Sequence, residues 1–98
     1  MNIDKRIEEQ KMFLKLSGRL DTTTAPDLDS AIKEQIADIN ELEMDFTDLD
    51  YISSAGLRVL LSAQKEMSKK GGMKLTGVQD TVMEVFEVTG FADILTIE

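Results

Sequence analysis

The 98-residue sequence contains neither cysteine nor histidine. That double absence removes disulfides, thiolate nucleophiles, imidazole bases and the nitrogen and sulfur ligands of most protein metal sites. A Ser-His-Asp hydrolase is excluded. Carboxylate-only binding of Ca²⁺ or Mg²⁺ is chemically open to the chain, yet Asp45, Asp48 and Asp50 do not fit the spaced, glycine-turned loop that wraps calcium, and no metal is expected. Tryptophan is absent, tyrosine occurs once, and eleven basic residues face nineteen acidic ones for a net charge of -8. With no basic run to track a phosphate backbone, nucleic acid is not an expected ligand. Long apolar runs are missing too: none approaches the roughly 20 residues that cross a bilayer. The opening MNIDKRIEEQ carries charge where a signal peptide has its apolar core, so a cytoplasmic protein without membrane attachment is expected.

What is present suits one folded domain spanning residues 1–98. Hydrophobic residues make up 42% of the chain, with no Pro-rich, Ser-rich or repetitive stretch. A chain of this length buries about two-thirds of its unfolded surface, enough for one core and too little for two.

Residues Ile3 to Glu8 read as a short charged strand. In KMFLKLS, Met12, Leu14 and Leu16 alternate onto one face and predict a second strand, antiparallel to the first. LDTTTAPDLDSAIKEQI follows with hydroxyls suited to capping, Pro26 near a first turn and acids before a lysine. These signals predict a helix from Ala25 to Ile36. ELEMDF alternates Leu42, Met44 and Phe46, a strand over 41–46, and the acidic TDLD reads as a turn. Leu57, Leu60, Leu61, Gln64 and Met67 recur at helical spacing before Gly71 and Gly72. MKLTGV predicts a strand, DTVMEVFEVTG a helix built on Val82, Val85 and Phe86, and ILTIE a short edge strand. The order β-β-α-β-α-β-α-β, with its βαβ units, predicts an α/β domain with a mixed sheet of four to five strands and three main helices. Met12, Met44, Met67 and Met73 fall on these apolar stripes and read as core filler, while Met83 looks spare.

Ligands and modifications of such folds gather at helix N-termini beyond the carboxyl ends of the strands. YISSAGL, residues 51–57, lies at that place. A helix cap explains one of its serines, since a cap hydroxyl accepts a bond from a free backbone N–H for about 1 kcal/mol. It does not explain Gly56, because glycine inside a helix costs about 1 kcal/mol relative to alanine. Close helix-to-strand packing is one explanation for it. The other is that a serine is presented to another protein, with Ala55 and Gly56 leaving room for the visitor. A catalytic serine is the poorer alternative, because the flanking elbow glycines and a base are both missing.

GRLDTTTAPDL after the second strand, DFTDLDYISSAGLRVLL across the third strand and its helix, and FEVTGFADIL near the end stand in register. Together with the element order they resemble the STAS-domain anti-sigma-factor antagonists over nearly the whole chain. The resemblance implies a STAS fold and a partner-switching protein that does no chemistry and holds no cofactor. Its unmodified form binds an anti-sigma factor that is also a serine kinase of the ATP-binding GHKL type, freeing the sigma factor. Phosphorylation by that kinase ends binding, and a phosphatase reverses it. The family's acceptor hydroxyl stands two residues before the helix glycine in D-S-[ST]-G-L, which maps it onto Ser54. Ser53 replaces the family's Asp and Ala55 its second hydroxyl, which makes Ser53 a rival acceptor. Ser54 is favoured, since Ser53 falls four and seven residues before Leu57 and Leu60 on the inward stripe. A STAS module of another complex, such as a stress-signalling scaffold or a transporter regulator, is the alternative.

Asp21 resembles a family position near the acceptor and equally suits a helix cap. Asp45, Asp48 and Asp50 read as a solvated turn, Asp48 and Asp50 being also candidate contacts to a basic surface on the kinase. Arg58 is either a partner contact or a solvated helix residue. The expected partner surface thus comprises Asp21, Asp48, Asp50, Ser53, Ser54, Ala55, Gly56 and Arg58.

Overall fold

The computed structural model describes residues 1–98. Strands β1 (Asn2–Glu8) and β2 (Lys11–Leu20) form an antiparallel hairpin, joined across Glu9 and Gln10. Helix α1 (Ala25–Lys33) leads to β3 (Glu41–Ile52), α2 (Ser54–Met67) to β4 (Met73–Thr76), and α3 (Asp80–Thr89) to a single helical turn at Phe91–Asp93. The sheet runs β1-β2-β3-β4, with β2, β3 and β4 parallel to one another. It is therefore mixed, as the βαβ units require.

One face of the sheet carries the core. Met12, Leu14, Leu16 and Leu20 of β2 interleave with Leu42, Met44, Phe46, Leu49 and Ile52 of β3, all buried. The helices close over them with Leu28 and Ile32 from α1, Leu60, Ala63 and Met67 from α2, and Val82 and Phe86 from α3. Phe86 meets Phe46 with ring centroids 6.5 Å apart, which seats α3 on β3. The opposite face of the sheet is charged, with Glu43 between Lys11 at 3.3 Å and Lys74 at 3.6 Å.

Three expectations need correction. The TDLD segment is no turn, because β3 continues to Ile52 and β2 continues to Leu20 beside it. Two irregularities hide this continuation. Lys15 pairs with Asp45 but Ser17 with Asp48, and Gly18 pairs with Leu49 but Arg19 with Tyr51, so β3 inserts one extra residue each time. At the first bulge the Asp45 carboxylate accepts from the Thr47 amide at 2.9 Å and the Thr47 hydroxyl at 2.6 Å. These bonds hold Asp45 below the ordinary carboxylate range, the hydroxyl bond most of all.

Helix α1 stops at Lys33 rather than Ile36. Its buried face is complete at Ile32, and the chain then tightens into turns, with the Gln35 amide bonded to the Ile32 carbonyl. Lys70 satisfies carbonyls of this segment, donating to Ile36 and, at 3.1 Å, to Ile39. The ILTIE strand reduces to one parallel bridge, Leu75 with Ile97, leaving four strands. No helix is long and apolar enough to cross a membrane.

Candidate functional site at the start of helix two

At the carboxyl ends of β2 and β3 the chain passes from Ile52 into α2 through a single residue, Ser53. Its backbone is extended (φ -100°, ψ 174°), its amide donates to the Leu20 carbonyl at 2.9 Å, and its carbonyl accepts the first helical bond from Leu57 at 3.0 Å. Its hydroxyl accepts from the Gly56 amide at 3.4 Å, a long capping bond. Ser53 is half-buried and committed to the helix start. Ser54 is the first residue of α2, exposed, and stands outside this capping arrangement. The two adjacent hydroxyls therefore differ in kind: one is structural and one is presented.

Gly56 is buried, and the space beside it is taken from inside the domain. A Cβ built there would lie 2.7 Å from Leu20 Cγ and 2.9 Å from Ile52 Cγ1. The expectation that Gly56 leaves room for a partner is thus corrected: it lets α2 press onto the ends of β2 and β3. Ala55 is half-buried and packs against the core. It also borders a shallow groove of about 370 Å³ between α1 and α2, floored by Ala25, Pro26 and Val59 and edged by Asp29, Lys33 and Arg58. Arg58 is exposed, one helical turn beyond Ser54.

Asp21 closes the turn that follows β2. Its Oδ1 accepts from the Thr23 hydroxyl at 2.8 Å, the Thr23 amide at 3.0 Å and the Thr24 amide at 3.1 Å. The Thr23 hydroxyl bond is the largest cause holding its carboxyl below the ordinary range. The capping reading of Asp21 describes these contacts, although the helix proper starts later, at Ala25.

Asp48 and Asp50 make none of the contacts that hold the two serines. Asp48 lies six residues before Ser54, up to ~20 Å of extended chain, and its carboxylate pairs with Lys15 at 3.5 Å. Asp50 is exposed, with its carbonyl accepting from the Thr81 hydroxyl at 3.5 Å. No cluster of acidic residues converges to hold a metal ion.

The structure brings to this edge two residues that the sequence patterns missed. The Arg19 guanidinium lies 4.0 Å from the centroid of the Tyr51 ring, and its Nε is 3.8 Å from Asp21 Oδ2. Arg19 and Tyr51 are neighbours only because β2 and β3 run on past their bulges. The lone tyrosine preceding ISSAGL was the available signal.

A model of the STAS domain matches residues 2–98. The anti-sigma-B factor antagonist of Listeria monocytogenes is 31% identical over 103 residues, covering 100% of this chain and 90% of that protein. Two solved structures share the fold. The anti-sigma factor antagonist SpoIIAA in its unphosphorylated form superposes with TM-score 0.85 at 19% identity, covering 99% of this chain and 88% of that one. The Bacillus cell fate determinant SpoIIAA in the phosphorylated form gives 0.77 at 18% identity, covering 99% and 91%. With element order, sheet topology and a full-length match in agreement, the chain belongs to the STAS domain family.

Proposed function

We propose that this protein is an anti-sigma factor antagonist whose switch is the Ser54 hydroxyl. In its unmodified form it binds an anti-sigma factor and so frees the sigma factor. That anti-sigma factor is also a serine kinase of the ATP-binding GHKL type. It transfers the γ-phosphoryl of ATP to Ser54 Oγ, with ADP leaving and the hydroxyl proton passing to the kinase, and a phosphatase restores the hydroxyl. The observation that carries this reading is the division of labour between the serines: Ser53 is spent on the cap while Ser54 is exposed at the first helical position. The relatives' description as anti-sigma factor antagonists supports it. So does the existence of SpoIIAA in phosphorylated and unphosphorylated forms.

The electrostatics favour a switch that blocks the partner rather than one that unfolds α2. A phosphate adds about -1.5 to -2 charge. At a helix N-terminus, free N–H groups and the dipole stabilise an anion by roughly 0.3–1 kcal/mol. Arg58, one turn on, adds attraction, and Asp48 is countered by Lys15. A partner surface shaped for a hydroxyl would instead have to bury an unmatched dianion. That costs several kcal/mol, or about 10²-fold or more in affinity.

The test is incubation with candidate kinase and ATP, followed by mass-spectrometric mapping. Ser54→Ala is expected to abolish incorporation and Ser53→Ala to retain it. Phosphorylated protein is expected to keep its circular dichroism spectrum while its affinity for the kinase collapses. Labelling that survives in Ser54→Ala and disappears in Ser53→Ala would overturn the assignment. Loss of helicity on phosphorylation would overturn the blocking mechanism.

A further inference from the structure

Helix α3 turns Val82 and Phe86 inward against the sheet. Its outward stripe carries an apolar residue where a polar one belongs: Val88 is 87% exposed. Thr81, Glu84, Val85, Val88 and Thr89, related by helical spacings of three and four, line one shallow open cavity of about 460 Å³. Past the turn at Gly90, Ile94 is half exposed as well.

The charge around this stripe has a single sign. From Leu75 to Glu98 there are five carboxylates and no lysine or arginine. Glu98 reaches Lys74 at 3.6 Å, but Asp80, Glu84, Glu87 and Asp93 join no ion pair. Elsewhere unpaired acids such as Asp4, Asp27 and Asp50 are interspersed with paired ones, as Glu43, Asp48 and Glu34 are with Lys11, Lys15 and Lys5, whereas on this segment no basic residue is interleaved. An exposed valine inside a field of uncompensated carboxylates contributes little to folding.

We infer that the outer face of α3 is a second interaction surface, built to take a basic amphipathic segment of a partner protein. Apolar side chains of that segment cover Val85 and Val88, and its lysines or arginines face Glu84 and Glu87. Charge selects this occupant over the others. A second copy of the chain would set Glu84 and Glu87 against carboxylates of the same stripe, and an anionic membrane would be repelled. A basic segment removes apolar surface from water and neutralises the rim, with an attraction that salt weakens. No residue of the Ser54 edge belongs to this stripe, so the inference stands or falls independently of the phosphorylation reading.

The experiment titrates the isotope-labelled 98-residue chain with a synthetic Leu/Lys amphipathic helical peptide and with its Leu/Glu counterpart, followed by amide NMR shifts. The Lys peptide is expected to shift resonances confined to residues 80–94, more weakly as salt is raised, and the Glu peptide to shift none. Val88→Asp, and separately the pair Glu84→Lys and Glu87→Lys, should each lower affinity roughly tenfold. Circular dichroism should stay unchanged in both, because all three side chains point to solvent. Shifts spread evenly over the acidic surface, or an affinity indifferent to Val88→Asp, would overturn the inference. So would a dimer seen by sedimentation, or binding to phosphatidylglycerol vesicles, that Val88→Asp abolishes, since either assigns the face to another occupant.

Discussion

Replacing Gly56 by alanine adds one methyl group at the point where α2 touches the sheet. Its Cβ would stand 2.7 Å from Leu20 Cγ, 2.9 Å from Ile52 Cγ1 and 3.0 Å from Leu20 Cδ2, closer than carbon atoms approach without displacement. Leu20 is 0% exposed and Ile52 4%, so neither side chain can swing into solvent to make room. Overpacking of this kind costs about 1–3 kcal/mol. Alanine recovers at most about 1 kcal/mol of helix propensity over glycine. The net expectation is a loss of roughly 1 to 1.5 kcal/mol, and at about 4–8 °C per kcal/mol for a domain of this size, a fall in Tm of roughly 5–10 °C. Urea unfolding followed by circular dichroism measures it. The double variant with Leu20→Ala supplies the decisive control. Leu20→Ala alone should cost about 2–5 kcal/mol through the cavity it opens. Because that cavity accepts the new methyl, the double variant should be less damaged than the sum of the singles by about 1 kcal/mol. A Gly56→Ala protein more stable than the parent by the full propensity gain, with additive behaviour in the double variant, would refute the close-packing account.

The two serines should also separate by stability. Ser53→Ala is expected to lose about 0.5–1 kcal/mol, the lower part of the capping range because its bond is long at 3.4 Å, while Ser54→Ala stays within about 0.5 kcal/mol of the parent in urea melts. Equal losses, or the reverse order, would move the cap to Ser54. Asp21 and Asp45 have carboxyls held below the ordinary carboxylate value by hydrogen bonds in the folded state, the threonine hydroxyl bond first in each case. Their contribution to stability is therefore present above the unfolded value of about 3.9 and is lost as pH falls through the lower folded values. Thr23→Val and Thr47→Val should raise the Asp21 and Asp45 titrations respectively, read by carboxyl-carbon NMR, and should flatten the acid limb of the stability curve. Titrations unmoved by these changes would show that the threonine hydroxyls are not the cause.

Much of this molecule is legible along the chain wherever a period persists. Met12, Leu14 and Leu16 alternate, Leu57, Leu60 and Met67 recur at helical spacing, and these segments became β2 and α2 with those residues in the core. The serine edge was legible for the same reason. A strand ending before a small-residue helix start marks the carboxyl edge of a parallel sheet, and the inward stripe already separated Ser53 from Ser54.

The sequence by itself therefore determined the order of the main elements, the mixed sheet and the pair of hydroxyls at its carboxyl edge, because these depend on local periodicity and capping chemistry. Tertiary structure decided the rest. In β3 the buried positions step from Phe46 to Leu49 to Ile52, a spacing of three that reads as a broken strand. Only pairing with β2 across two bulges keeps it extended, and that same pairing brings Arg19 to Tyr51. Gly56 could be read as room for a visitor or as room for the core, since a glycine looks the same in either setting. The choice belonged to Leu20 and Ile52, whose side chains reach that spot only when α2 lies across the ends of both strands. The exposure of Val88 was hidden in the same way: Val82, Val85, Phe86 and Val88 form a broad apolar arc, and the seating of α3 on β3 through Phe86 and Phe46 buries Val82 and Phe86 and leaves Val88 in solvent.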